Sequence, residues 1–376
     1  MIRNDAQSAG GLDPQLEILW SKVSVYDQWV ESLGVPLYTD YYVADLRDLE
    51  LGEWAERECK VAFLQLAGQK GISEARVTEV APGQKLPPLK FALDEVVYVV
   101  EGRGLTSVWT DEDSPPRTFE WGKHSMFLIP RHSRHQISNT SGTSRALLLH
   151  YNYLPLAIGV SFEPAFFFEN PYQPSRPDGD LYEEARAVKH MTPRGESSLW
   201  YGNFFPDMSL WDKLKPMRGR GAGGHSVSIQ FPMSPIYSHM AVFPEGRYKK
   251  AHRHGPGVFI VIPQGEGFSV MWEEGHEKVF IPWHEASVFV PPNRWFHQHF
   301  NVGGDPARYL AFHAPRGTGQ SERVDRARDQ IEYTEEDPFI RQKFEAELGE
   351  RKLTSLMPDE AYKDRDYQFG YDGSED

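Results

Sequence analysis

Three histidines are the residues of this 376-residue chain best suited to chemistry: His252, His254 and His297. In an extended strand successive side chains point to opposite faces, so His252 and His254 share a face while Arg253 points away. Two imidazoles turned into a barrel interior are poor core residues, because each ring needs a polar partner. They make sense as a clamp for a borderline metal ion, and the segment Trp295-Phe-His-Gln-His-Phe-Asn301 supplies a third imidazole after a turn. Three neutral ligands leave a divalent ion its full charge and open positions for an anionic substrate. His299, on the same side as His297 if that segment is extended, and His313 are candidates for moving a proton.

Other residues fall around this cluster. Trp295, Phe296, Phe259 and Phe268 are expected to shape an apolar substrate pocket, with Arg294 as a carboxylate contact. Lys249 and Lys250 read either as solvated rim charges or as part of the same clamp, and Arg253 reads as rim. The loop from Arg218 to Gly224 lacks the Lys-Ser/Thr of a phosphate loop and reads as a linker.

The elements that must hold these residues come as a repeat. ARVTEVAPG, ending at Gly83, aligns with SHMAVFPEG, ending at Gly246, 163 residues later. The same spacing pairs Gly102 and Gly104 with Gly265 and Gly267, and further on Arg145 with Arg308 and His150 with His313. Between them a spacing of 162 pairs Trp121 with Trp283, Pro130 with Pro292, His135 with His297 and Asn139 with Asn301. Each unit is a run of short β-branched segments such as VVYVVEG and VFIVIPQG, closed by Gly and Pro turns without a helical period. That pattern predicts an all-β chain of tandem barrels.

The flanks differ. Leu16, Leu19, Trp20, Val23, Tyr26, Trp29, Val30 and Leu33 recur at helical spacing, and Gly34 with Pro36 stops the run. Asp337-Pro338 opens a second helix with Phe339, Ile340, Phe344 and Leu348 on one face, and the final GYDGSED reads as disordered. The expected division is an N-terminal helical arm over 1–59, a first barrel over 60–155 and a linker over 156–219. A second barrel over 220–316 and a helical tail over 317–376 complete it.

Composition narrows the function. A formal charge of −14 argues against a nucleic-acid surface, which needs a basic stripe. The single cysteine, Cys59, allows no intramolecular disulfide and no thiolate-rich zinc site. No apolar run approaches a bilayer span and the first residues lack the pattern of a secretion signal, so the expectation is a cytoplasmic protein with a small-molecule substrate, no membrane and no nucleic acid, assembling as a homo-oligomer.

The two units resemble the cupin superfamily, whose pattern is G-x5-H-x-H followed by G-x5-P-x-G-x2-H-x3-N. The fold this implies is a pair of double-stranded β-helix (jelly-roll) barrels. The second unit keeps Gly246, His252, His254, Pro292, His297 and Asn301, but has Val258 for the usual glutamate ligand and Ala286 and Arg294 for two glycines. In the first, Leu89 and Phe91 replace both histidines while Glu95, His135 and Asn139 fit, which implies a metal-free barrel. The resemblance implies one divalent metal per chain on His252, His254 and His297, Fe(II) foremost, with Mn, Ni, Cu or Zn as alternatives. The three-histidine gentisate and salicylate dioxygenases likewise carry His-Arg-His without the glutamate, although their principal site lies in the first barrel. The implied activity is an Fe(II) dioxygenase acting on a small aromatic hydroxy acid or an enediol- or diketone-like compound. The alternatives are a non-oxidative hydrolase, isomerase or lyase, like the second-barrel site of ureidoglycine aminohydrolase, and a non-catalytic ligand-binding protein.

Overall fold

The computed structural model describes residues 24–69, 71–109, 115–161, 163–172, 182–192, 195–211, 215–217, 219–315 and 325–370. Leu16, Leu19, Trp20, Val23 and nearly all of the final GYDGSED lie outside them.

Apolar residues alternating at period two, with Gly and Pro turns between them, give two antiparallel sheets per unit. In the first unit Cys59–Leu64, Glu74–Val80, Ala146–Asn152, Glu95–Glu101 and Met126–Ile129 lie side by side in that order, facing a sheet of Leu89–Lys90, Arg134–Asn139, Gly104–Trp109 and Arg117–Trp121. The second unit repeats the order with His225–Gln230, Tyr237–Phe243, Ala307–Phe312, Phe259–Gln264 and Val288–Phe289. Its smaller sheet holds Ala251–His252, Phe296–Asn301, Gly267–Trp272 and Val279–Trp283. The chain is thus a tandem of cupin-type β-sandwich barrels. A continuous apolar core joins them, with Val96, Tyr98 and Tyr151 of the first meeting Phe259, Leu310 and Phe312 of the second.

The repeated residues have a mechanical reason. The Trp121 indole donates to Thr106 and the Trp283 indole to Ser269, each at 3.0 Å. Each ring lies against a glycine: a Cβ on Gly104 would come within 2.3 Å of Trp121, and one on Gly267 within 2.4 Å of Trp283. One pairing needs correction. Val97 faces His150 whereas its counterpart Ile260 faces Ala311, so His313 corresponds to Asn152 and not to His150. The loop after Asn301 is one residue shorter than the loop after Asn139, which shifts the last strand.

The flanks do more than pack. Val25–Ser32 is a helix capped by Ser24, whose Oγ accepts the Asp27 N–H at 3.0 Å. Beyond it Leu37–Tyr38 pairs with the first barrel's Phe63 and Leu64, and Tyr42–Val43 pairs with the second barrel's Val288–Phe289. The segment read as a linker pairs Phe204–Phe205 with Met126 and Phe127, and adds Gly195–Tyr201 to the second barrel. In the tail, Gln330–Ile331 joins the small sheet beside His252. The helix Pro338–Glu350 buries Ile340, Phe344 and Leu348 against Phe268, Val270 and Phe300, while Phe339, expected on that face, is 50% exposed. No helix among the described residues is long and apolar enough to cross a membrane.

Candidate metal centre

His252 ends a short strand and sits directly opposite His297 in the ladder, the register that Leu89 and His135 occupy in the first barrel. His254 follows two residues later on the same face. The ring centroids of His252 and His297 are 4.3 Å apart and those of His254 and His297 4.6 Å. One nitrogen from each of the three lies within 4.8 Å of the others.

Which nitrogen faces inward follows from the hydrogen bonds. Nδ1 of His252 meets the Lys250 carbonyl at 3.1 Å, that of His254 the Gly255 carbonyl at 2.8 Å, and that of His297 the Trp295 carbonyl at 3.2 Å. A carbonyl only accepts, so each Nδ1 carries the proton and each Nε2 keeps a bare lone pair. Burial holds all three rings neutral, pushing His254 down to about 4 and the other two well below the usual imidazole range. Three convergent, buried lone pairs with no proton between them fit a divalent metal.

His299 is the opposite tautomer. Ser269 Oγ accepts the Trp283 indole N–H at 3.0 Å and gives its own proton to His299 Nδ1 at 2.8 Å. The His299 proton therefore sits on Nε2, making the ring a donor beside the cluster instead of a fourth ligand. Val258, 4% exposed, lines the wall where the superfamily pattern has glutamate.

The turn carrying His297 shows a further feature. Ala286 and Arg294, at the two pattern glycines, have φ of 69° and 64°, and His124 and His132 take φ of 67° and 57° at the same places in the first barrel. A left-handed backbone costs a non-glycine residue about 1 kcal/mol. Arg294 is held there by Asp329 of the tail at 2.6 Å, and Arg253 reaches the same carboxylate at 3.1 Å.

The histidines open into a cavity of about 370 Å³, which Arg220, Ser228, Tyr237, His239, His299, Tyr309 and His313 also line. Among the described residues that line it, none is a carboxylate. His239 Nδ1 and His313 Nε2 are 2.7 Å apart, so the two rings share one proton, and Tyr237 stacks on His313 at 4.5 Å. Lys249, read as a possible rim charge, is fully buried and bonded to the Tyr309 hydroxyl at 2.8 Å; burial and nearby Arg220 hold its amine well below the usual lysine range.

The cavity does not include Arg294, Trp295, Phe259 or Phe268. Arg294 is spent on Asp329, and Trp295 packs on Tyr41 at 5.5 Å. Phe259 lies in the core between the barrels, and Phe268 stacks on Phe300 at 4.4 Å. Strand alternation is the reason: Phe259 and Phe268 adjoin Val258 and Ser269, whose side chains take the inner face. Arg220, His239, Tyr237 and Tyr309 were not singled out from sequence. The available signal was the alternation of Tyr237 and His239 at the start of the strand Tyr237–Phe243, which contains the repeated SHMAVF segment.

The first barrel closes over its equivalent position. Leu89 and Phe91 are buried, and Phe91 packs on Phe168 at 5.4 Å. Glu95 receives Arg76 at 2.6 Å, His150 at 2.8 Å and Asn152 at 3.1 Å, while Arg76 also holds Glu74 at 2.5 Å. Among the described residues the only group of three or more metal-type ligands is His252, His254 and His297.

No family model matches the chain, and no curated protein matches it in sequence. Among solved structures it is similar to oxalate decarboxylase from Bacillus subtilis at pH 4.6, with a TM-score of 0.49 and 12% identity over 86% of this chain and 85% of that one. It is also similar to the formate complex of Lactobacillus farciminis oxalate decarboxylase, with a TM-score of 0.47 and 14% identity over 73% of this chain and 86% of that one.

Proposed function

We propose that this chain is a metal-dependent bicupin enzyme acting on a small anionic substrate with two chelating oxygens, and that its reaction is an Fe(II)-dependent dioxygenation. The observation that carries the reading is the charge balance of the cavity: three neutral imidazoles, Arg220 and, among the described residues that line it, no carboxylate. A divalent ion added to that set leaves net positive charge inside a small enclosure, which an anion neutralises. An aromatic hydroxy acid, or an enediol or diketone in its enolate form, has the size and oxygen spacing for such a site. Bound there, Fe(II) supplies a redox-active Lewis acid.

The chain's own residues supply the rest. His299 presents Nε2–H as a donor to a substrate oxygen. The His239–His313 pair takes up a proton from a substrate hydroxyl and returns it, passing the charge from one ring to the other. Arg220 fixes a carboxylate by charge. The reading includes a homo-oligomer in a reducing compartment, consistent with Cys59, whose buried thiol is pushed up to about 11 and stays unreactive.

The second reading is non-oxidative Lewis-acid chemistry with Mn, Ni or Zn, favoured by the same imidazole pair, since proton transfer alone would suffice for an isomerase or lyase. The two separate on one experiment. The iron-loaded protein is screened against hydroxybenzoates and diketones in an oxygen electrode and again under strict anaerobiosis. The dioxygenase reading expects one dioxygen consumed per substrate and no anaerobic turnover. Full anaerobic activity overturns it in favour of the Lewis-acid reading.

A further inference from the structure

The turn that carries His297 has Arg294 where the superfamily pattern has glycine. Pro292 closes it by accepting the Trp295 N–H at 3.1 Å, and the Arg294 N–H donates to the His254 carbonyl at 3.0 Å, which ties the turn to the other ligand segment. In the first barrel His132 makes the same bond to Phe91, at 2.7 Å. Both residues take the left-handed backbone, Arg294 at φ 64° and His132 at 57°. A side chain with a Cβ disfavours that conformation and glycine does not. In the first barrel the turn leads to His135 opposite Leu89, where among the described residues no ligand cluster depends on it. In the second it sets His297 against His252 and His254.

One carboxylate of the tail braces both segments. Asp329 is fully buried, yet it belongs neither to the cavity lining nor to the ligand cluster. Its Oδ1 takes Arg294 at 2.6 Å, Arg253 at 3.1 Å and Arg328 at 3.4 Å. Its backbone carbonyl accepts the Arg253 N–H at 2.9 Å, midway between His252 and His254. The Arg253 guanidinium in turn lies 4.5 Å from the ring centre of Phe296, the residue before His297. Bonds between guanidinium and carboxylate groups are strong and directional, and breaking such a buried set by removing one partner is costly.

We propose that Asp329 is a positioning residue of the metal centre: without reaching the ion, it holds His254 and His297 in ligating register through Arg253 and Arg294, and its bond to Arg294 takes over the part that a glycine plays in this turn. The inference rests on the reading of the three histidines as a metal centre.

The test is the Zn(II) affinity of the metal-stripped full chain, measured by competition with a chromophoric chelator, beside the thermal midpoint of the same metal-free protein. Asp329→Asn should bind zinc at least about tenfold more weakly than the unaltered chain. Arg294→Ala and Arg294→Gly both remove the guanidinium, but only alanine keeps the cost of the left-handed backbone. Alanine should therefore weaken binding about fivefold, and glycine should stay within about twofold of the unaltered chain. If Asp329 acted on the ion by charge alone, removing the Arg294 cation would tighten binding in both variants. Far-UV circular dichroism shows whether each variant keeps its fold, and if Asp329→Asn does not, the alanine and glycine pair decides. Three results overturn the proposal: a lower thermal midpoint in Asp329→Asn with zinc affinity unchanged, equal affinities in Arg294→Ala and Arg294→Gly, or tighter binding in both. Failure of the unaltered chain to bind zinc would overturn the metal-centre reading as well.

Discussion

A neutral imidazole offers one lone pair, and the partner of its other nitrogen decides which one. At this centre three backbone carbonyls set the tautomer of His252, His254 and His297, and a serine hydroxyl sets the reverse tautomer of His299. Spacing alone marked the first three, because an H-x-H pair on one strand face has few other uses. It also marked His299, but its sense as a donor depends on Ser269 and Trp283, which are distant in sequence. Arg294 and the pocket aromatics were misplaced for two reasons: an unforeseen ion pair with Asp329, and alternation that turned Phe259 and Phe268 outward. His299→Ala should keep the metal at the level of the unaltered chain while turnover falls about a hundredfold, a common cost for a positioned acid–base group. Metal analysis alongside turnover checks this; loss of the metal would place His299 among the ligands.

At the scale of elements, the repeat was legible because its markers are structural: a glycine beneath a tryptophan and an asparagine that closes a turn. Asn139 donates to the Ser144 carbonyl at 2.8 Å and Asn301 to the Asp305 carbonyl at 2.9 Å. A one-residue change in the loop that follows was invisible, because a spacing of 163 pairs like residues there, Arg145 with Arg308 and His150 with His313. In the first barrel an ion-pair network surrounds Glu95, leaving His135 buried with its Nδ1 unpartnered. Burial pushes His135 down to about 3, against the pull of nearby Glu95. Its unfolded value lies near 6.5, so between those limits the unfolded chain binds a proton that the folded chain does not. Stability from this group is complete above about pH 6.5 and is lost as the pH falls towards 3, by about 1.4 kcal/mol per unit. His135→Leu should remove that slope, so that its denaturation midpoint falls less steeply than that of the unaltered chain from pH 6.5 to 4. Parallel profiles for the two proteins would mean that His135 is protonated in the fold.

The whole molecule ties the centre to parts of the chain that sequence reading treated as appendages. Tyr42–Val43 of the N-terminal arm edges the second barrel next to the turn that carries His297, and Gln330 of the tail pairs with His252. Asp329 holds Arg253 and Arg294, and so fixes both histidine segments from one carboxylate. Two-residue strands of this kind have no sequence period to detect, which is why the arms were legible as helices and not as sheet edges. The barrels, arms and inter-barrel core exist in this account to present three lone pairs to one ion. Elemental analysis of the freshly purified chain beside His252→Ala, His254→Ala and His297→Ala tests that most directly. The account predicts one divalent metal per chain in the first and almost none in the three variants, all with the far-UV circular dichroism of the parent. Near-stoichiometric metal in a folded His297→Ala protein would contradict it.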